Sequence, residues 1–125
     1  MNHFDIKTHI YFGEKALDRI CDFPYKKALI ISDPYVVKSG MIHLVTSRLQ
    51  QAKIEWDVFD DVIPDPPIEK ISKGVSAVLA SQADVLIAIG GGSAIDSAKA
   101  IREVASQADS AYSRPALIAI PTTSE

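Results

Sequence analysis

The chain has 125 residues, 47% hydrophobic and 23% charged, with a formal net charge of −3; this balance suits one globular domain and excludes a disordered or fibrous chain. The charge is weak and mixed along the sequence, so no basic face is available for nucleic acid or an anionic membrane. Cys21 is alone, no Cys/His spacing suits a structural zinc, and no apolar run has the length of a signal peptide or a membrane span, so a reducing, cytoplasmic setting is expected.

In chain order, residues 9–12 predict an edge strand, and Leu17, Ile20 and Cys21 a short first helix. Residues 28–31 (Ala-Leu-Ile-Ile) form an unbroken apolar run, as in a parallel strand buried on both faces. Met41, Leu44, Val45 and Leu49 give a helical stripe. Residues 54–58 alternate apolar and polar, which suits a strand nearer a sheet edge. Asp65-Pro66-Pro67 then suits a helix start, and Ile68, Ile71, Val75 and Val78 recur at helical spacing behind it. Residues 85–89 and 116–120 are two further buried strands, separated by a stripe of Ala94, Ala98, Ile101, Ala105 and Ala108. Strand and helix alternate throughout, which predicts an α/β fold, a doubly wound sheet with helices on both faces.

The most informative junction is the buried strand that runs into Gly90-Gly91-Gly92-Ser93 and then directly into a helix. Glycines there let the chain turn sharply and let a phosphate approach main-chain N–H groups at a helix N-terminus. The spacing departs from the common dinucleotide fingerprint, because Ile95 stands where a third glycine belongs. A tight turn followed by a Ser93/Asp96 capping box is the competing explanation. Asp33 follows the strand at residues 28–31, so it lies at a carboxyl strand end, where open α/β sheets bind ligands. A turn-forming Asp before Pro34 is the competing explanation, which accounts for a polar residue there but not for its coincidence with the ligand-binding edge.

The string Gly90-Gly91-Gly92-Ser93-Ala94-Ile95-Asp96-Ser97-Ala98-Lys99 resembles the glycine-rich signature of the iron-containing alcohol dehydrogenases. The likeness continues through Phe12-Gly13, Ser32-Asp33-Pro34, Pro64-Asp65-Pro66 and Pro121-Thr122-Thr123. The resemblance implies that residues 1–125 are the family's NAD-binding domain, with a Rossmann-like, mostly parallel doubly wound sheet. The family's C-terminal helical domain, which carries the metal, is then expected to lie outside these residues.

Carried over by position, Gly90, Gly91, Gly92 and Ser93 would contact the cofactor pyrophosphate, Asp33 the adenosine ribose and Asp96 the nicotinamide-side ribose. Thr122 and Thr123 would hold the adenine and phosphate region. Lys99 also matches the signature, but its spacing from Asp96 and Glu103 suits a helix-surface ion pair better than a cofactor contact.

The implied activity is NAD-dependent interconversion of a small primary alcohol and its aldehyde by hydride transfer. Fe²⁺ or Zn²⁺ in the family's C-terminal domain would act as Lewis acid, leaving the chain alone inactive and without catalytic or metal-binding residues. A homo-oligomer is expected. Ser93, where a lysine could stand, favours alcohol dehydrogenases over glycerol dehydrogenases and dehydroquinate-synthase-like relatives; a non-catalytic NAD-binding module is the alternative from another class. The family pattern continues a few residues later into Gly-Thr-Gly-Ser-Glu, whereas here Ser124-Glu125 follow Thr123 directly. That departure points to a fragment or a deletion.

Other chemistry-bearing residues read as structural. His3, His9 and His43 are dispersed, with no paired metal face. Asp60-Asp61 suggests the acidic pocket of a receiver-type domain, but the later strands end in Gly90–Ser93 and Pro121-Thr122-Thr123 rather than in an acceptor aspartate and a lysine, so a solvated loop is expected. Trp56 and Tyr112 are expected to pack.

Overall fold

A computed structural model of the chain describes residues 10–12, 18, 25–63, 65–108 and 115–122. Five parallel strands, β1 (Ile10–Phe12), β2 (Lys27–Ser32), β3 (Glu55–Phe59), β4 (Val85–Gly90) and β5 (Ala116–Pro121), form one sheet in the order β1-β5-β4-β2-β3. The helices are α1 (Pro34–Lys38), α2 (His43–Gln51), α3 (Ile68–Ser81) and α4 (Gly92–Ala108). The expected doubly wound sheet is present, with β1 and β3 at its two edges as their sequences predict.

Central strands are apolar throughout because helices cover both sides of them. Ala28, Ile30, Val85, Ile87, Ile89, Ile118 and Ile120 point to one face and pack with Val36, Val45 and Leu49 of α1 and α2. Their alternates Leu29, Ile31, Leu86, Ala88, Leu117 and Ala119 meet Val75, Val78, Ala94, Ala98, Ile101 and Ala105 of α3 and α4 on the other. Each buried Leu or Ile contributes about 1.5–3 kcal/mol. A surface pair such as Lys27 Nζ and Asp57, 3.1 Å apart, is worth roughly 0–1 kcal/mol, so the two apolar layers determine stability. At the amino edge, the Asp84 carboxylate accepts from the Lys26 and Lys27 amides at 3.0 and 3.2 Å, tying the start of β2 to that of β4.

Four sequence expectations are corrected by the packing. The short helix α1 has no counterpart among the predicted elements. Met41 precedes α2, which begins at His43; Ile42 is buried in its place, while Leu44 is 39% exposed. Ile68 is 71% exposed, because α3 reaches the core only from Ile71, which packs partly buried against it, and is fully buried from Gly74 and Val75 onward. Ala108, at the end of α4, is exposed. Trp56 packs partly buried against the α1/α2 layer, as expected, and His43 is exposed. Of the predicted first helix only Asp18 is described; it is helical and accepts from Arg48 Nε at 2.8 Å. Leu17, Ile20, Cys21, His3, His9 and Tyr112 lie outside the described residues.

Helices α3 and α4 come together at Gly74. A Cβ there would collide with Ile101 Cδ1 and lie 2.9 Å from Ile101 Cγ1 and 3.4 Å from Phe59 Cε2. On an exposed helix, replacing glycine with leucine would gain about 0.8–1 kcal/mol of propensity. At this contact Gly74→Leu should instead destabilise by about 1–3 kcal/mol through overpacking. Thermal denaturation of the variant checks the sign, and an unchanged or raised midpoint would refute the close approach.

Candidate functional site

The sheet changes winding direction between β2 and β4. From β2 the chain passes through α1 and α2 to β3 on one side, and from β4 through α4 to β5 on the other. Neighbouring strands whose connections diverge leave a crevice at their carboxyl ends, the place where open α/β sheets bind ligands. Asp33 and Gly90 stand at that divergence.

Gly90 ends β4 with φ +145, a conformation that side chains avoid, and a Cβ there would lie 3.0 Å from Ala94 Cβ and 3.4 Å from Asp33 Oδ2. Its glycine is therefore required by the fold. Gly91 and Gly92 differ, because a Cβ on either would meet nothing within 4 Å. The space above them is open to a ligand. The Gly91 carbonyl accepts from the Ala94 and Ile95 amides at 3.1 and 3.3 Å. This leaves the amides of Gly92 and Ser93, in the first turn of α4, with no intrahelical acceptor.

Thr122 donates its amide to the Gly90 carbonyl at 2.9 Å, which brings the exit of β5 beside the exit of β4. Asp33 Oδ1 accepts from the Val36 amide at 3.1 Å and caps α1. The turn-forming reading of Asp33 thus holds in the form of a helix cap, and the residue is also at the ligand edge. Fully buried at the end of β2, Ser32 Oγ has no hydrogen-bond partner among the described residues.

The structure thus brings Asp33, Gly90, Gly91, Gly92, Ser93 and Thr122 together on the carboxyl edges of three adjacent strands, while Thr123 lies outside the described residues. The Ser93/Asp96 capping box is not formed, because α4 begins at Gly92 and Ser93 already lies within it. Asp96 instead lines a cavity of about 260 Å³ between α3 and α4, with Asp65, Pro66 and Ile71 on one side and Ser93 and Ser97 beside it on the other. Lys99 is exposed on α4.

Asp65 and Ser97 were not among the sequence candidates. Asp65 belongs to a segment that suits a helix start, yet α3 begins at Ile68 with no side-chain cap, and Asp65 holds a left-handed φ of 47. A signal for Ser97 was present: it stands four residues after Ser93, on the same face of a helix.

The acidic pair after β3 does not build a receiver-type pocket. Asp61 accepts both its bonds from Lys70 Nζ, at 2.7 and 2.8 Å, clamping the exit of β3 to α3. That hydrogen bond holds the Asp61 carboxyl below the ordinary value of 3.8; burial opposes it as the next largest effect, and the charges of Lys70 and Lys73 add still smaller lowering ones. Because the folded value is lowered, the pair stabilises the protein above that ordinary value, and its contribution is lost as pH falls through the lowered one. Lys70→Met should raise the Asp61 titration toward 3.8, which carboxyl NMR would record; an unmoved titration would refute the clamp. Among the described residues no three His, Cys, Asp or Glu side chains cluster to hold a metal.

Comparison with known proteins follows the same lines. The sequence pattern of the family described as iron-containing alcohol dehydrogenase matches residues 7–124. Lactaldehyde reductase of Escherichia coli K12 is 33% identical over 138 aligned residues, covering 98% of this chain and 36% of the relative. The 1-propanol dehydrogenase PduQ of Salmonella typhimurium is 36% identical over 124, covering 99% and 33%. An iron-containing alcohol dehydrogenase from Thermococcus thioreducens shares the fold, with a TM-score of 0.75 at 24% identity over 91% of this chain and 35% of its own. The chain spans about a third of the length of the curated relatives it matches.

Proposed function

Since the chain belongs to the iron-containing alcohol dehydrogenase family, we propose that it is the NAD-binding part of an enzyme that interconverts small alcohols and aldehydes. The observation that carries this reading is the open space over Gly91 and Gly92, at the N-terminus of α4 and beside the divergence of β2 and β4. A pyrophosphate approaching there would accept from the Gly92 and Ser93 amides and lie at the positive end of the α4 dipole.

Asp33 would take the adenosine ribose on one side of the loop, and Asp96 the nicotinamide-side ribose on the other. Thr122, and Thr123 after it, would border the phosphates from β5. When bound, NAD supplies the hydride acceptor or donor; the chain's own residues bind and orient it. The family's name implies iron, and the described residues do not fit it, since they include no ligand cluster. Their share in the reaction is the dinucleotide.

Two of the relatives, a lactaldehyde reductase and a 1-propanol dehydrogenase, support a small alcohol or aldehyde as substrate. No described helix is long and apolar enough to cross a membrane. Calorimetric titration of the chain with NAD tests the reading: saturable binding is expected, and a chain that binds no NAD overturns it.

A further inference from the structure

The two oxygens of Asp33 face different neighbours. Oδ1 accepts from the Val36 amide at 3.1 Å, which fixes the carboxylate against α1. Oδ2 is turned to the glycine loop and lies 3.4 Å from where a Cβ on Gly90 would stand, with Val36 Cγ2 3.8 Å from the same point. The residue is only partly exposed, so water and salt screen its charge less than at an open surface. A carboxylate so placed cannot swing away from an arriving anion without giving up the cap of α1.

The loop beside it attracts the opposite charge. The Gly92 and Ser93 amides and the positive end of α4 favour any phosphate, and that preference alone does not separate a dinucleotide from inorganic pyrophosphate. A fixed negative charge beside Gly90, two residues before the first of those amides, opposes every phosphate that reaches them. An ionised carboxylate accepts hydrogen bonds and donates none. The repulsion is therefore offset only by a ligand that brings hydroxyl donors to Asp33 along with its phosphates, and the adjacent hydroxyls of a ribose do this.

We propose that Asp33 sets the loop against free phosphates, so that a pyrophosphate is held only when it carries a ribose on the Asp33 side. The proposal rests on the dinucleotide reading of the loop and adds a ligand class that the site rejects, phosphates without a sugar.

Calorimetric titration of the full chain and of Asp33→Asn with inorganic pyrophosphate and with ADP is the test. The amide keeps an acceptor for the Val36 cap, so the variant should melt near wild type. Pyrophosphate should bind the variant about tenfold tighter, a gain that shrinks as salt is added, while ADP binds it no tighter than wild type. Asp57→Asn controls for net charge. Asp57 aligns with Leu29 and through it with Leu86, four residues before Gly90, or about 13 Å along the strand. At an ionic strength of about 0.1 M that exceeds the screening length of about 10 Å, so this variant should bind pyrophosphate as wild type does. If Asp33→Asn binds pyrophosphate no tighter than wild type, or if ADP or the Asp57→Asn chain shows the same gain, the proposal is overturned while the dinucleotide reading stands. If ADP binds neither wild type nor Asp33→Asn, the dinucleotide reading itself has failed and the proposal falls with it.

Discussion

Replacing Gly91 with valine should weaken NAD binding at least about a hundredfold, or about 2.7 kcal/mol, in a chain that remains folded. Nothing within 4 Å would oppose a Cβ at Gly91, so the only cost to the fold is the exchange of a favoured helix-capping residue, no more than about 1 kcal/mol. The added methyl groups would fill the space through which a pyrophosphate reaches the Gly92 and Ser93 amides. Gly90→Ala serves as the contrast. That position combines φ +145 with a contact of 3.0 Å to Ala94 Cβ, so its loss should appear as instability, about 1–3 kcal/mol. Binding by calorimetry and melting by circular dichroism, measured on both variants, distinguish the two roles. A Gly91→Val chain with wild-type affinity would mean that the glycines serve the turn alone.

Charge at Asp33 should select NAD over NADP. If its carboxylate meets the adenosine ribose hydroxyls, the 2′-phosphate of NADP is brought against a like charge. At about 5 Å and an effective dielectric near 20, each pair of unit charges costs about 3 kcal/mol before screening, equivalent to roughly two orders of magnitude in affinity. Solvent in the crevice reduces this, and a preference for NAD of at least about tenfold is expected.

The helix cap decides how the test is built. Asp33 Oδ1 holds the Val36 amide, so Asp33→Ala would remove a cap worth about 1 kcal/mol together with the charge. Asp33→Asn keeps an acceptor in the same place and removes only the charge. The Asn variant should melt near wild type and bind NADP more tightly relative to NAD; Asp33→Gly should relax the ratio further, by removing the ribose bonds as well. Dissociation constants for both cofactors measure it. A wild-type chain that already prefers NADP, or a ratio indifferent to both substitutions, would place the ribose elsewhere.

Much of this arrangement was legible in the sequence, for identifiable reasons. β2, β4 and β5 are covered on both faces and therefore appear as unbroken apolar runs, while β3 sits at the edge and alternates. Gly90 to Ser93 was legible because a strand, a glycine turn and a helix start in direct succession leave few other geometries. What escaped depended on contacts between distant segments. α1 has only five residues, too few for a periodic stripe, and its existence depends on the Asp33 cap and on Val36 reaching the sheet. Ile68 continues the stripe of α3 in sequence, but the helix packs on the core only from Ile71 onward. Asp65 and Ser97 lie 32 residues apart (97 − 65) and share a cavity only because α3 and α4 approach closely at Gly74 and Ile101.

The placement of β2 beside β4 also affects how the domain is assembled. Lys27 and Asp84, joined at the base of that strand pair, are 57 residues apart, and α1, α2, β3 and α3 intervene between the two strands. The chain must close this long loop before the crevice exists, and pairings of such high contact order form slowly. Asp33, the glycines and Thr122 follow β2, β4 and β5, of which only the last two are consecutive strands in the sequence. No partly folded stretch therefore carries the complete edge, and a dinucleotide that requires all three recognises only the finished domain. By mass action such a ligand would draw the population toward the assembled sheet, making cofactor supply a determinant of how much folded protein accumulates.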